Sequence, residues 1–507
     1  MTKKVIYSEF ATPESLFVIE CLDEDYDWKP VFFHGNANAK AWANEKYKDS
    51  HFVLSEKLRK GFFDYSIFKN VHPIDESLIE KLSKFELRYL NWLEDSSGWE
   101  FSFSERRRYY YDILKYWNTV INEHKPDVFI TYNWPHLATD YILYLMCKYV
   151  FDIPVLFVDV VPRNNKNFFN IAVSLEHLSI PFEQYYRSEE SKKITPVVAD
   201  YLSKLRSKSP SRPWYIDRYF ENYVVKLDRE LFQRRIRMFI STLLGRSLKP
   251  SNTAFKKNRY PLNSPKSQMT IWEHFIFKEK LRRKNRKLKY LYESICQKPS
   301  KEDKYIFFAA PYQPEAFSNL INSVYEDVFL ILDLLVATLP PSWKIYYKEH
   351  PATFNEHDKG ALSRDEYFYK KLAEYNCIVP IRTNIPSFDL LDSSMGVVTT
   401  GGTIGWEAVV RNKPAIVFGS MWYTGCDSVF NVSGLDDLKD AIRKIEQGFL
   451  PDQNDVDRYA EAINLASYEN LPAPYYYKEI LDYKLEIKGQ MRKLSDAYVE
   501  TYNKFYK

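Results

Sequence analysis

The 507-residue chain has only five cysteines. They are Cys21, Cys147, Cys296, Cys377 and Cys426, an odd number, widely spaced, with no CxxC and no Cys/His cluster. That pattern excludes a disulfide framework and a zinc knuckle, and it predicts a reduced, cytoplasmic protein. Glycine is scarce at 14 residues, and with proline at 26 this rules out collagen-like and low-complexity architectures. The longest apolar run, Val328 to Leu339, is interrupted by Asp333. It falls well short of the ~20 residues that a bilayer needs. The opening MTKKVIYSEF has no apolar core of a secretory signal, so none is expected. Neither sign of charge dominates: 71 basic against 67 acidic residues give +4. That balance offers no basis for a nucleic-acid partner.

What the chain has is apolar and aromatic mass. Hydrophobic residues make up 45%, enough for a large core, and aromatics reach 17%. Core packing is the first reading of those rings. At about 150 residues per domain, the length allows two large units or three smaller ones.

Strands and helices alternate most clearly from Tyr305 to about Glu446. Predicted strands are Tyr305–Ala310, Lys344–Lys348, Cys377–Pro380, Met395–Thr400 and Ala415–Gly419. Between them lie helical stretches at Phe317–Leu339, Arg364–Tyr375, Ser387–Asp392 and after Gly402, with a last one at Leu435–Glu446. That alternation predicts a parallel sheet of the Rossmann type. The N-terminal part repeats it less cleanly. Pro30–Phe33 reads as a strand entering the polar loop His34-Gly35-Asn36. A helix over Glu105–His124 precedes a β-α-β unit of Asp127–Thr131, Ala138–Val150 and Pro154–Val160. The expected organisation is an N-terminal Rossmann-like domain (1–180), a helical basic insertion (181–300), a C-terminal Rossmann-like domain (301–465) and a helical tail (466–507). Two such α/β domains place a ligand in the cleft between them, at the carboxyl ends of the strands.

Three motifs stand at predicted strand ends. In TTGGTIGWEA (399–408), Gly401 and Gly402 permit close backbone approach and positive φ. Thr403 begins a helix whose free N–H groups suit an anion. Glu407, one turn in, is placed to accept from ribose hydroxyls; a plain strand-to-helix turn reads equally well. In YYKEHP (346–351), His350 is placed to donate to a phosphate or to protonate a leaving group, with Lys348 adding positive charge. In PYQPEAF (311–317), Gln313 and Glu315 face the same cleft, with Glu315 either a helix-start carboxylate or a catalytic or sugar-binding group.

This series, YQPE, KEHP and then TTGGTIGWEAVVRNKPAIVFG, resembles the capsule polysaccharide biosynthesis family, which includes capsule Kdo transferases with a GT-B glycosyltransferase fold. The resemblance covers about 303–425 and reaches the N-terminal region loosely. It implies two Rossmann-like domains facing a cleft and a nucleotide-sugar donor on the C-terminal one. His350 would touch the donor phosphate, Gly401, Gly402 and Thr403 would hold phosphate or sugar, and Glu407 the ribose. The His-Pro dipeptide is also similar to CMP-sialic acid and CDP-glycerol transferases, which points to a cytidine nucleotide.

The acceptor then falls to the N-terminal domain. His34, Asn36 and Arg163 are the candidate acceptor contacts. Asp159, with His34 second, is the candidate base, and Trp134 a candidate stacking ring. No DxD motif stands at a strand end of the C-terminal domain, so metal independence is expected, with no cofactor beyond the nucleotide sugar. The segment 229–249 sets Leu231, Phe232, Ile236, Phe239, Ile240, Leu243 and Leu244 at helical spacing beside Arg234, Arg235 and Arg237. More basic residues follow at Lys256, Lys257, Arg259 and from Lys278 to Lys289. Such a patch suits an anionic membrane surface on the inner face of the cell membrane, or an acidic polysaccharide, as well as simple packing on its own domain. The sequence supports a glycosyltransferase acting on a growing or lipid-linked polysaccharide. A nucleotide-sugar epimerase, a CDP-polyol phosphotransferase and a non-catalytic scaffold stand as alternatives.

Overall fold

The computed structural model describes residues 2–97, 102–163, 166–207, 227–249, 269–315, 319–320, 323–354, 360–469 and 487–507. Thirteen strands are found among them: β1 Lys3–Ser8, β2 Trp28–Gly35, β3 His51–Leu54, β4 Val128–Thr131, β5 Val155–Arg163, β6 Lys166–Ala172, β7 Lys304–Ala309, β8 Trp343–Lys348, β9 Ile378–Pro380, β10 Gly396–Thr399, β11 Ala415–Val417, β12 Val429–Asn431 and β13 Tyr468–Glu469. They form two sheets, β13-β6-β5-β4-β1-β2-β3 and β12-β11-β10-β7-β8-β9. Within each sheet the first strand in sequence is central, the next two lie on one side, and the chain then crosses to the other. This is the doubly wound order, and it opens a crevice at the switch point, between β1 and β4 in one sheet and between β7 and β10 in the other. All pairs are parallel except β5/β6 and β6/β13. The fold is thus two Rossmann-like α/β domains, as the alternation predicted.

Parallel sheets need cover on both faces. On one face of the first sheet, helices Glu76–Ser97, Phe103–His124 and Asp140–Leu145 bury Tyr89, Trp117 and Leu143. On the other, Pro13–Tyr26 pairs with the C-terminal helix Ile487–Tyr506 through Leu22, Leu494 and Tyr498. The chain's last helix thus completes its first domain, and the Tyr498 hydroxyl donates to the Thr131 carbonyl at 2.9 Å. Between the two Rossmann parts, helices Ile180–Tyr186 and Pro196–Arg206 pack with Gln453–Ala466 against one face of the second sheet. Ile271–Ile295 joins Val328–Thr338 and Leu435–Glu446 on the other.

Several elements depart from the sequence expectation. Of the helix expected over 317–339, Val328–Thr338 is α-helix, with Asp327 as its cap accepting from the Phe329 N–H at 2.9 Å; residues 317–318 and 321–322 lie outside the described residues. A single 3₁₀ turn, Ser323–Glu326, precedes it. His34 and Gly35 are not loop but the end of β2, and Asn36 is the cap of helix Ala37–Lys46. β5 continues through Asp159 to Arg163 because β6 folds back on it in an antiparallel ladder. The polar stretch Pro250–Ser267, with Lys256, Lys257 and Arg259, lies outside the described residues.

The two domains touch through the loop after β7. The Leu320 carbonyl accepts from Arg88 Nη1 at 3.1 Å and from the Tyr141 hydroxyl at 3.2 Å. Asn91 donates to Glu326 at 3.2 Å, and the Leu178 N–H to Ser420 Oγ at 3.0 Å. The carboxyl edge of the second sheet therefore abuts the helix that follows β4, at the carboxyl edge of the first.

Candidate functional site

On the C-terminal domain, β8, β7 and β10 are adjacent, and each ends in one of the predicted motifs. After β7 comes Tyr312, whose ring lies 5.7 Å from that of His350. His350 follows β8. Its Nδ1 accepts from the Ala352 N–H at 3.2 Å, which leaves the proton on Nε2 as a donor. Burial and nearby Lys348 push its pKa down to about 4, against the opposing effect of Glu349. It is a neutral donor at physiological pH.

The loop carrying His350 is anchored from beneath by a pair that the motif reading passed over. Glu349 is fully buried and ion-paired to Arg364 Nε at 2.8 Å. It also accepts from Tyr347 (3.0 Å) and Tyr369 (3.2 Å). Gln313 belongs to the same network: its oxygen accepts from Arg364 Nη1 at 2.9 Å and its amide donates to the Glu326 carbonyl at 2.8 Å. Gln313 therefore shapes the loop from inside the fold. Lys348 is also engaged, donating to the Ile385 carbonyl at 2.6 Å and Ser387 Oγ at 2.8 Å. Glu315 is exposed, with its N–H donating to Asn319 Oδ1 at 3.0 Å.

At the glycine turn neither Gly401 nor Gly402 takes positive φ. The turn is held by Thr399 Oγ1, which accepts from both glycine N–H groups at 3.4 and 2.9 Å. The close approach falls at Gly405 instead, where a Cβ would sit 2.5 Å from the Tyr423 hydroxyl. That hydroxyl donates to the Gly402 carbonyl, clamping the turn to the loop after β11. Thr403 donates to Glu407 Oε1 at 3.3 Å. Glu407 is only partly exposed, and desolvation of its carboxyl raises the pKa to about 7.

On the N-terminal domain the predicted residues are more deeply placed. Asp159 sits mid-strand and fully buried, accepting from Trp134 Nε1 at 2.8 Å and Asn170 at 3.3 Å. Burial raises its pKa to about 6. Trp134 thus spends its indole N–H on Asp159. His34 is buried, 2.8 Å from Ser8 Oγ through Nδ1, and burial drives its pKa down to about 3. Asn36 caps its helix by accepting from the Ala39 N–H at 2.9 Å. Arg163 ends β5, and its side chain lies outside the described part of the chain.

The carboxyl edge of this sheet holds a group that the motif reading missed. Glu9 directly follows β1 with a left-handed backbone, φ 61°. It accepts from Ser55 Oγ at 2.8 Å, and one carboxylate oxygen lies 3.8 Å from His34 Nδ1. Asp140, after β4, is fully buried. The only local signal for Glu9 was the strand VIYS before it. Among the described residues, no group of three or more His, Cys, Asp or Glu is disposed to hold a metal ion. No helix there is long and apolar enough to cross a membrane.

Comparison with known proteins agrees with the motif series. Residues 316–427 match the family described as "Capsule polysaccharide biosynthesis protein". That span holds KEHP and the glycine turn and begins just after YQPE, so the resemblance read from the motifs is borne out over this segment. No curated protein matches the chain. Among solved structures, the chain aligns with a KpsC β-Kdo 2,7 transferase of Thermosulfurimonas dismutans at 15% identity and TM-score 0.22. That alignment covers 38% of this chain and 57% of the other. The KpsC β-Kdo 2,4 transferase of the same organism aligns at 11% identity and TM-score 0.27, over 66% and 79%. Anabaena Alr3699/HepE in complex with UDP-glucose aligns at 11% identity and TM-score 0.24, over 98% and 100%. The chain thus spans little more than half the length of the first of these, and at such TM-scores none of them carries an argument about function.

Proposed function

We propose that the protein is a glycosyltransferase of capsule-type polysaccharide synthesis that takes its sugar from a nucleotide-sugar donor. The observation that carries this reading is His350: a neutral imidazole with its proton on Nε2, at the carboxyl end of β8, inside the segment that matches the capsule family. The donor's nucleotide would lie across the β7/β10 crevice, with the Nε2–H of His350 on a phosphate oxygen. Thr403 and the turn of Gly401 and Gly402 would flank the phosphate or sugar, and Glu407 would meet the ribose. Lys348, though tied to Ile385 and Ser387 after β9, contributes positive potential near the leaving phosphate. Glu315, exposed on the loop after β7, would be a catalytic or donor-sugar contact. His34, Asn36, Arg163 and Asp159 remain assigned to the acceptor side, the buried ones as supports of that edge. The His-Pro dipeptide favours a cytidine nucleotide. Fixed donors at the leaving group take the place of a metal, which makes turnover metal-independent.

The acceptor in this reading is lipid-linked, and helix Leu227–Leu243 supports it. Its residues Ile236, Phe239, Ile240 and Leu243, with Leu244 just beyond, recur at helical spacing, yet all are exposed. The opposite face, with Arg237, Met238 and Ser241, lines a groove of about 350 Å³ against Ile271–Ile295. Arg246 and Lys249 just past the helix are exposed, as is Arg235, which pairs with Glu279 at 3.1 Å. Apolar side chains facing outward among cations match an anionic membrane surface.

The test is transfer from CMP-, CDP-, UDP- and GDP-sugars by the full chain in EDTA, reading nucleotide release with and without a lipid-linked oligosaccharide. Acceptor-dependent release supports the transferase. Conversion of the sugar without any acceptor would make it an epimerase, and abolition by EDTA would remove metal independence.

A further inference from the structure

The first sheet carries a second polar centre at its own switch point. Glu9 leaves β1 there, His34 ends β2, Ser55 follows β3, and Thr131, Thr139 and Asp140 lie on and after β4. The pieces connect through contacts. Glu9 accepts from Ser55, its N–H donates to the His34 carbonyl at 3.0 Å, and the His34 ring packs edge-on to Trp117 at 5.5 Å. The Trp117 indole N–H donates in turn to the Thr139 carbonyl at 2.9 Å. Four buried polar atoms of this cluster have no partner: His34 Nε2, Thr131 Oγ1, Thr139 Oγ1 and Asp140 Oδ2. Buried polar groups are nearly always paired, so a concentration of unpaired ones beside a strand-edge crevice calls for a reason, and a polar ligand at that edge supplies one.

We propose that this centre is the acceptor-activating site, with the Glu9 carboxylate as the general base that takes the proton of the acceptor sugar's hydroxyl. The proposal rests on the transferase reading above. As the proton passes to Glu9, the acceptor oxygen forms its bond to the donor's anomeric carbon. The bond from that carbon to the nucleotide phosphate oxygen breaks, and its electron pair stays on the phosphate beside His350. Glu9 and Asp140 divide the work by burial. Asp140 is sealed in, and desolvation together with the Glu9 charge raises its pKa well above the ordinary value. Glu9 keeps part of its side chain in solvent. The other groups that act on it are Arg59 after β3 and His136 after β4, both favouring its ionised form, and neutral His34. Burial raises Glu9 from the ordinary glutamate range, the direction a base working near neutrality needs.

The test compares transfer and nucleotide binding in the full-length parent and variants. Glu9→Gln is expected to bind the nucleotide like the parent while transfer falls at least ~100-fold. Ser55→Ala removes a donor that favours the carboxylate, so it should move the acidic limb of the kcat/KM profile to higher pH. That variant also decides the matter if Glu9→Gln does not fold. Transfer by Glu9→Gln within threefold of the parent overturns the base assignment and leaves the transferase intact. An acidic limb that Ser55→Ala leaves in place overturns it too. A parent that binds nucleotide but transfers nothing to any acceptor overturns the transferase reading, and this proposal with it.

Discussion

Replacing Arg364 with methionine tests how the His350 loop is held. Arg364 and Glu349 are almost completely shielded from solvent, and Arg364 is the cation paired to that carboxylate. Its pKa is raised by Glu349 against the cost of burial, so the guanidinium stays charged. Methionine fills much of the volume but leaves the carboxylate, among the described residues, with the hydroxyls of Tyr347, Tyr369 and, at 3.4 Å, Thr353. Removing one partner of a buried pair costs about 3–5 kcal/mol. For a domain of this size each kcal/mol lowers Tm by about 2–4 °C, so a fall of roughly 6–20 °C is expected in calorimetry or circular dichroism. The double variant Glu349→Gln, Arg364→Met removes the stranded charge and should recover most of the loss. His350 is the next residue after Glu349, so nucleotide affinity should fall in the single variant and partly return in the double. A single variant that melts within 2 °C of the parent, or a double variant no better than the single, would refute the reasoning.

Other outcomes follow from the same geometry. Glu407 has a raised pKa, near 7, so its stabilising contribution is present below the ordinary glutamate range and lost as pH rises through 7. Parent and Glu407→Gln should therefore differ increasingly in unfolding free energy between pH 5 and 8, by on the order of 1–3 kcal/mol in favour of glutamine at high pH; a constant difference would remove the effect. Gly405→Ala should destabilise the C-terminal domain, since its methyl meets the Tyr423 ring, and it should weaken nucleotide binding by displacing the glycine turn. Unchanged Tm and affinity would contradict that. Vesicles containing anionic lipid should sediment the protein and neutral ones should not, and Phe239→Ser with Leu243→Ser should abolish the effect; equal binding to both kinds of vesicle would contradict the charge argument.

The C-terminal domain was legible because its strands are short apolar runs stopped by proline or glycine. His350, the glycine turn and Glu407 stand just past those stops, and the sheet brings them to one edge. The helix start was misjudged because the apolar residues of 317–339 continue through Asp327, and an N-cap inside an apolar stretch is invisible to periodicity. Gln313 and Lys348 were placed on the right loops, but their partners, Arg364 and Ser387, come from elsewhere in the sequence. The N-terminal site was harder to read. β1 is six residues long, and Glu9 becomes notable only once His34, Ser55 and Asp140 converge on it from three other strand ends. Asp159 looked like a strand-end carboxylate because nothing local announces the β5/β6 hairpin that extends its strand.

The central claim, that the carboxyl edge of the second sheet binds the donor nucleotide through His350, is tested most directly by titration calorimetry. Cytidine and uridine mono- and diphosphates would be titrated into the full chain and into His350→Ala, all in EDTA. The account predicts saturable binding of one nucleotide class to the parent. In His350→Ala that affinity should be reduced about tenfold or more, as expected for losing a hydrogen bond to a charged phosphate. Absence of binding to any nucleotide, or equal affinity in parent and variant, would contradict it.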